Sequence, residues 1–122
     1  MAIVPLTVKQ MLAQYPALPP TVLTMNIGAG ESMTTVTDGV TFPCDGNTII
    51  LMKGGAASHV LTVKSTTDAF KRTGDIVYTL GIGLYAVLPK LQPAGFADAS
   101  GLCTITSDAG GTDILFWAIR EP

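Results

Sequence analysis

Gly46–Ser65, GNTIILMKGGAASHVLTVKS, is the stretch whose reading decides the fold class of this chain. It holds two β-rich runs, Asn47–Lys53 and His59–Ser65, joined by the small residues Gly54-Gly55-Ala56-Ala57-Ser58. Alternating apolar runs around a glycine-containing break predict antiparallel strands joined by a long hairpin loop. Ile49, Leu51, Leu61 and Val63 are the expected core residues of this ribbon. The loop Gly54–Ser58 has two readings: an exposed turn at the outer end of the domain, or a close backbone approach to a neighbouring subunit.

Working outward, Asp113–Arg120 (DILFWAIR) repeats the β signature with both faces apolar. Leu115, Trp117 and Ile119 alternate with Ile114, Phe116 and Ala118, so one face meets the core and the other meets a neighbour or a covering loop. Leu115, Trp117 and Ile119 are assigned to the core. Further runs at Thr21–Ile27, Glu31–Thr37, Val40–Phe42, Asp75–Leu80, Leu84–Leu88 and Leu102–Ser107 are separated by Gly, Asp and Pro breaks. About eight short strands without a long intervening helix predict an all-β sandwich or barrel. Pro89–Gly101 is the longest stretch without strand signals, with Phe96 as its aromatic anchor.

The first 20 residues read differently. Thr7 and Gln10 have capping-box spacing, and Val8, Met11, Leu12 and Tyr15 follow at helical intervals, predicting a short helix from about Val8 to Gln14. Pro16 ends it and Pro19-Pro20 holds the chain extended. The expected organisation is an N-terminal arm over residues 1–20 and a sandwich over residues 21–122. Two helical turns are marginal alone, so the stripe Val8, Met11, Leu12 and Tyr15 has to be buried, either on its own domain or across a neighbouring subunit.

Length and composition bound the function. At 122 residues the chain makes one core. Charged residues are 13% of it, about half the usual ~25%, so Thr, Ser, Gly and backbone must cover a surface weakly protected against association. A net charge of −2 with seven scattered basic residues excludes a nucleic-acid partner, which needs clustered Lys and Arg. Met1–Pro5 lacks the basic start of a signal peptide, and no run approaches the ~20 apolar residues of a membrane helix, so no membrane partner is expected. Cys44 and Cys103 are expected as buried free thiols of a protein assembled in a reducing cytoplasm, with a disulfide as the alternative if the fold brings their Cα atoms within ~7 Å.

Catalytic and metal chemistry find little support in the sequence. His59, the one histidine, with Cys44 or Cys103 would be the candidate thiol–imidazole pair, but no pattern sets a thiol at a helix N-terminus or beside a base. The aspartates of Asp108–Asp113 (DAGGTD) lack the acidic density of a calcium loop and are explained by turn chemistry. Gly81-Ile82-Gly83 is followed by neither a helix pattern nor a Lys-Ser/Thr pair, so it is no phosphate loop. No catalytic residue, cofactor or metal is expected.

The order of a GDG-type turn, NTIILMK, GGAASHVLTVKS, a middle hairpin, a Pro-containing loop, LCTITS and a terminal ILFWAIR resembles the small head decoration, or cement, proteins of tailed bacteriophages over about Leu23–Arg120. That resemblance implies a jelly-roll-like β-sandwich forming homotrimers on the outer capsid surface of the virion, with the major capsid protein as partner and capsid stabilisation as function. The chain departs from simpler members in Val4–Pro20, which carries a predicted helix where a short strand is expected. The alternative is a carbohydrate- or receptor-binding module of a phage fibre or spike, since jelly-roll sandwiches also serve as lectins. Only Tyr15, Phe42, Phe70 and Phe96 fall outside strand interiors, few for sugar stacking.

Overall fold

The computed structural model describes residues 3–11, 27–66 and 74–120. Nine short strands follow one another among them: β1 (Val4–Pro5), β2 (Val8–Gln10), β3 (Val40–Pro43), β4 (Thr48–Lys53), β5 (His59–Val63), β6 (Ile76–Leu80), β7 (Tyr85–Leu88), β8 (Leu102–Ser107) and β9 (Leu115–Arg120). They form a five-stranded sheet in the order β1-β3-β8-β5-β6 and a four-stranded sheet in the order β2-β9-β4-β7. Both sheets are mixed, because β1 runs parallel to β3 and β2 parallel to β9 while the other pairs are antiparallel. Val40, Phe42, Leu61, Val63, Cys103 and Ile105 of the first sheet and Ile50, Met52, Phe116 and Ala118 of the second share one buried cluster, which makes the molecule a β-sandwich.

The ribbon expected at Gly46–Ser65 is not a hairpin. β4 belongs to the four-stranded sheet and β5 to the five-stranded one, and β6/β7 and β8/β9 are split in the same way. Of strands consecutive in the chain, only β5 and β6 pair with each other. At every other link the next strand belongs to the other sheet, so the chain changes layer rather than pairing back along its own edge. A period-two pattern followed by glycines reports a strand and a turn, and is silent about which sheet the next strand joins.

The helix expected from Val8 is replaced by β2. Val8, Lys9 and Gln10 pair with Ala118, Ile119 and Arg120, and the Met11 N–H donates to the Arg120 carbonyl at 2.9 Å. The backbone edge of β9 offers these residues a hydrogen-bonded ladder, whereas two turns of isolated helix are marginal. Residues 3–11 thus belong to the sandwich, with β1 in one sheet and β2 in the other. Residues 12–20 of the expected arm, and residues 21–26 of the expected strand Thr21–Ile27, lie outside the described residues. Glu31–Thr37, also expected as a strand, contributes a single bridge from Glu31 to Phe116 before turning at Thr35–Gly39. Within Pro89–Gly101, Pro93–Phe96 forms one helical turn, α1.

Burial corrects the expected core in one consistent way. Leu61 and Val63 are buried, but along β4 the buried residues are Thr48, Ile50 and Met52, and the expected Ile49 and Leu51 are half-buried. On β9 Phe116 and Ala118 reach the core while Leu115 and Ile119 are half-buried. Trp117 is buried by a loop outside the core cluster. Both faces of these two strands are apolar, so the pattern could not settle which one turns inward.

The Gly54–Ser58 loop does make a close backbone approach, but to its own chain. Gly54 N–H donates to the Leu84 carbonyl at 2.7 Å, and Gly83 N–H donates to the Gly55 carbonyl at 3.2 Å. A methyl group on Gly54 would collide with the Gly81 carbonyl oxygen, and one on Gly55 with the Asp113 carboxylate. Gly54→Ala is therefore expected to cost about 1–3 kcal/mol, as overpacking does, and to lower the melting temperature by several degrees. Gly74→Ala, with open space around the new carbon, should stay within about 0.5 kcal/mol of the parent; equal melting curves for the two variants would refute this packing.

Candidate interaction surface

The two outer faces of the sandwich differ in chemistry. On the five-stranded sheet the alternating outward positions place Thr62 between Thr106 and Val77 and Thr79 opposite Val60, while Thr41, opposite Thr104, is buried. Hydroxyl-bearing β-branched side chains suit a water-facing sheet. On the four-stranded sheet the outward rows are Ile119 beside Ile49, then Trp117, Leu51 and Val87, then Leu115, Lys53 and Tyr85. The residues expected from sequence in the core of β4 and β9 thus form one coherent outward surface. Its cations are Lys9, paired with Ile119, and Lys53, whose Nζ lies 5.5 Å from the Tyr85 ring centroid.

This apolar face is covered at one side and bare at the other. At the β9 side the segment 27–31 crosses over Trp117, whose Nε1–H donates to the Gly28 carbonyl at 3.0 Å, leaving the residue 8% exposed. Gly30 permits the crossing, because its φ of 83° is left-handed and a Cβ there would lie 2.9 Å from the indole ring. Glu31 pairs with Phe116 in both directions, and its side chain accepts the Thr7 N–H at 2.7 Å, which ties this loop to the N-terminal strands. At the β7 side Val87 is 58% and Tyr85 62% exposed.

The bare region continues around the edge of the sandwich. Val77 and Tyr78 on β6, and Ile82 and Leu84 in the turn before β7, are also exposed. A stretch of eleven residues, 77–87, therefore supplies most of the large exposed apolar side chains described. β6 and β7 end their respective sheets. Between them a groove of about 440 Å³ opens onto the interior, lined by Met52, Leu61, Val63, Tyr78, Ala86 and Leu88 among others. An edge strand with unpaired backbone and apolar side chains is a template for association.

The polar clusters work as fasteners of loops. His59 Nδ1 lies 2.8 Å from Asp108 Oδ1, and His59 Nε2 lies 3.9 Å from Asp113 Oδ1. An ionised carboxylate only accepts, so the proton of that short bond sits on Nδ1. Asp113 Oδ2 accepts the Ala56 N–H at 2.8 Å, holding the β4–β5 loop against the β8–β9 turn. The Asp108 carboxyl is held below the usual range first by the Val60 N–H and, against some burial, by His59. Asp45, despite burial acting the other way, is also lowered, by hydrogen bonds from Asn47 and Thr48 and by Arg120, whose Nε lies 2.9 Å from Oδ2.

The imagined thiol–imidazole pair does not form. The His59 ring nitrogens face carboxylates, and the Cys44 and Cys103 thiols turn to the carbonyls of Leu91 and Lys64. Both cysteines are free and buried. Burial, with Cys44 nearby, pushes the Cys103 thiol up to about 12, far from the thiolate a nucleophile needs. Among the described residues no three His, Cys, Asp or Glu side chains gather into a metal-binding group, and no helix is long and apolar enough to cross a membrane.

Of the expected partner-binding stripe, Val8 packs against the molecule's own core, Met11 is exposed, and Leu12 and Tyr15 lie outside the described residues. Tyr78 and Tyr85, passed over in the sequence as strand-interior aromatics, are exposed because their strands are edges. Compared with models of known protein families, with curated proteins and with solved structures, the chain matches none.

Two measurements check this site. Trp117→Phe keeps most of the buried area and loses the bond to Gly28, so it should cost about 0.5–1.5 kcal/mol. Phe116→Ala, emptying a core site, should cost about 3–5 kcal/mol. Urea melts giving Trp117→Phe the larger loss would place the indole in the core instead. Acid is the second probe. Because the Asp45 and Asp108 pKa values are depressed on folding, their stabilisation is complete above the ordinary carboxylate value of about 3.9 and is lost as pH falls through the lowered values. The melting temperature should hold above about pH 5 and fall in acid, and Asp45→Asn should fall less steeply; a parallel curve would exclude Asp45 as a contributor.

Proposed function

We propose that this chain is a non-enzymatic structural protein of a tailed-phage virion, which decorates the outer capsid surface as a homotrimer and braces adjacent major capsid subunits. The observation that carries this reading is the apolar outer face of the four-stranded sheet, continuous with the bare β6–β7 edge, on a chain with little charge to keep copies apart. A surface of this kind favours permanent association, and repeated modest contacts in a lattice add through effective concentration, so no single strong site is required.

The fold supports the resemblance at the level of topology. The orders β3-β8-β5-β6 and β2-β9-β4-β7, with the chain passing between sheets at all links but one, fit a double-sheet jelly roll. In that reading the antiparallel bridge of Glu31 to Phe116, just before β3, is what remains of the first roll strand, and β2 runs in parallel along the rest of the same β9 edge. The strand at Val8–Gln10, where a helix was expected, supports the reading, since a short strand is what the resemblance leads one to expect there. Residues 12–20 then become the part of the arm available to reach a neighbouring subunit.

A second reading is favoured by Tyr78 and Tyr85, two exposed aromatics beside the β6–β7 groove of the kind that stack on sugars. Heads purified without this protein decide between them. Electron microscopy and co-sedimentation should find saturable attachment in hundreds of copies per expanded head, with greater heat resistance of the decorated heads. Absence of attachment together with glycan binding by the purified protein would overturn the capsid reading in favour of the fibre module.

A further inference from the structure

His59 has one ring nitrogen engaged and one free. Nδ1 donates to Asp108 Oδ1 at 2.8 Å, so in the neutral ring Nε2 keeps its lone pair. That lone pair faces Asp113 Oδ1 at 3.9 Å, beyond hydrogen-bond distance and with an acceptor on either side. No side-chain nitrogen or oxygen among the described residues is both sealed from solvent and without a partner, so water reaches Nε2. The His59 side chain is otherwise buried, 9% exposed, while that of Asp113 is open at 42%.

Two acceptors converging on one point mark a place for a cation, and the spacing bears on which one. A proton shared between nitrogen and oxygen draws them to about 2.8–2.9 Å. A zinc ion lies about 2.0–2.1 Å from each ligand, which sets the two ~3.4 Å apart at a tetrahedral angle and ~4.1 Å apart in line. The observed 3.9 Å falls in the second range. The bond from Nδ1 to Asp108 is the partner a metal-ligating histidine ordinarily has, since it fixes the tautomer and the ring orientation. Asp113 is anchored in the same way, its other oxygen accepting the Ala56 N–H at 2.8 Å. Gly110 leaves the ring edge clear: a Cβ there would lie 3.1 Å from Cε1 and 3.7 Å from Nε2. Both ligands are therefore held in place before an ion arrives, which lowers the ordering cost of binding.

We propose that His59 Nε2 and Asp113 Oδ1 form a binding site for one divalent transition-metal ion of the zinc class, with water in the remaining positions. An imidazole ligand selects such ions over magnesium and calcium, which take oxygen. Two protein ligands make an open site of modest affinity, in keeping with the absence of any three-side-chain cluster among the described residues. The bound ion ties the start of β5 to the turn before β9 and, through Asp113, to the β4–β5 loop. None of this depends on attachment to a capsid.

The test is a titration of the untagged full chain with zinc chloride, followed by nuclear magnetic resonance of the imidazole and by thermal melting. His59 is the one histidine of the chain, so the ring signals report this site alone. One equivalent of zinc should shift them and raise the melting temperature by several degrees, and magnesium chloride should do neither. Asp113→Asn, which keeps an acceptor for the Ala56 N–H, should weaken zinc binding at least tenfold, and His59→Gln should abolish it; circular dichroism checks that both fold. Cobalt in place of zinc should show no thiolate charge-transfer band, because both cysteines are buried. An unshifted ring at millimolar zinc, an equal shift with magnesium, equal affinity of the parent and Asp113→Asn, or a thiolate band would each overturn the proposal. Should His59→Gln fail to fold, the ring shift and the Asp113→Asn affinity decide between these outcomes.

Discussion

The ladder between β4 and β9 is the constraint on which the rest of the molecule depends. Thr48–Lys53 pairs residue by residue with Leu115–Arg120, and both strands are apolar on both faces. In most sheets a slip of one residue would push polar groups into the core, and that penalty sets the register. Here either parity would bury hydrocarbon, so the choice is made by the surroundings. Ile50, Met52, Phe116 and Ala118 turn inward to meet Leu61, Val63 and Ile105 of the other sheet, and the outward residues of the ladder other than Lys53 form an apolar surface of which Trp117 alone is buried, by the loop at residues 27–31.

The loops are placed so that this ladder can be both the centre of a sheet and one wall of a sandwich. Asp45 holds the approach to β4 by accepting from Asn47, Thr48 and Arg120, the last at the end of the ladder's partner strand. At the other end Asp113 holds Ala56, and His59 and Asp108 lock the turn before β9 against the start of β5. The glycines at 54 and 55 permit the backbone to pass close to Gly81 and Asp113. The histidine that would be the natural suspect for chemistry is thus a fastener between two crossovers.

Coverage of the outward face proceeds from one edge. The loop at residues 27–31 lies on Trp117, β2 and Glu31 together occupy the free edge of β9, and the covering stops there. What stays bare is the opposite edge, where β6, its turn and β7 present aliphatic and aromatic side chains around an open groove. A molecule protected on one edge and unprotected on the other is asymmetric in its capacity to associate.

The sequence by itself determined the β class, most strand positions and the double apolar character of β9, because alternation, β-branched residues and glycine breaks act locally and leave local marks. It also marked Leu61 and Val63, which lie on a strand with polar neighbours at Thr62 and Lys64 and so had only one face to bury. The tertiary structure alone decided that Ile49, Leu51, Leu115 and Ile119 face outward, since nothing within a strand apolar on both sides distinguishes its faces. It alone decided that Gly54–Ser58 crosses between sheets, and that Val8–Gln10 is a strand, because the free edge of β9 lies more than a hundred residues away in the chain. Which strands are edges is likewise a property of the assembled sheets, and that is why Tyr78, Tyr85 and Val87, ordinary strand residues in the sequence, emerge as exposed apolar surface.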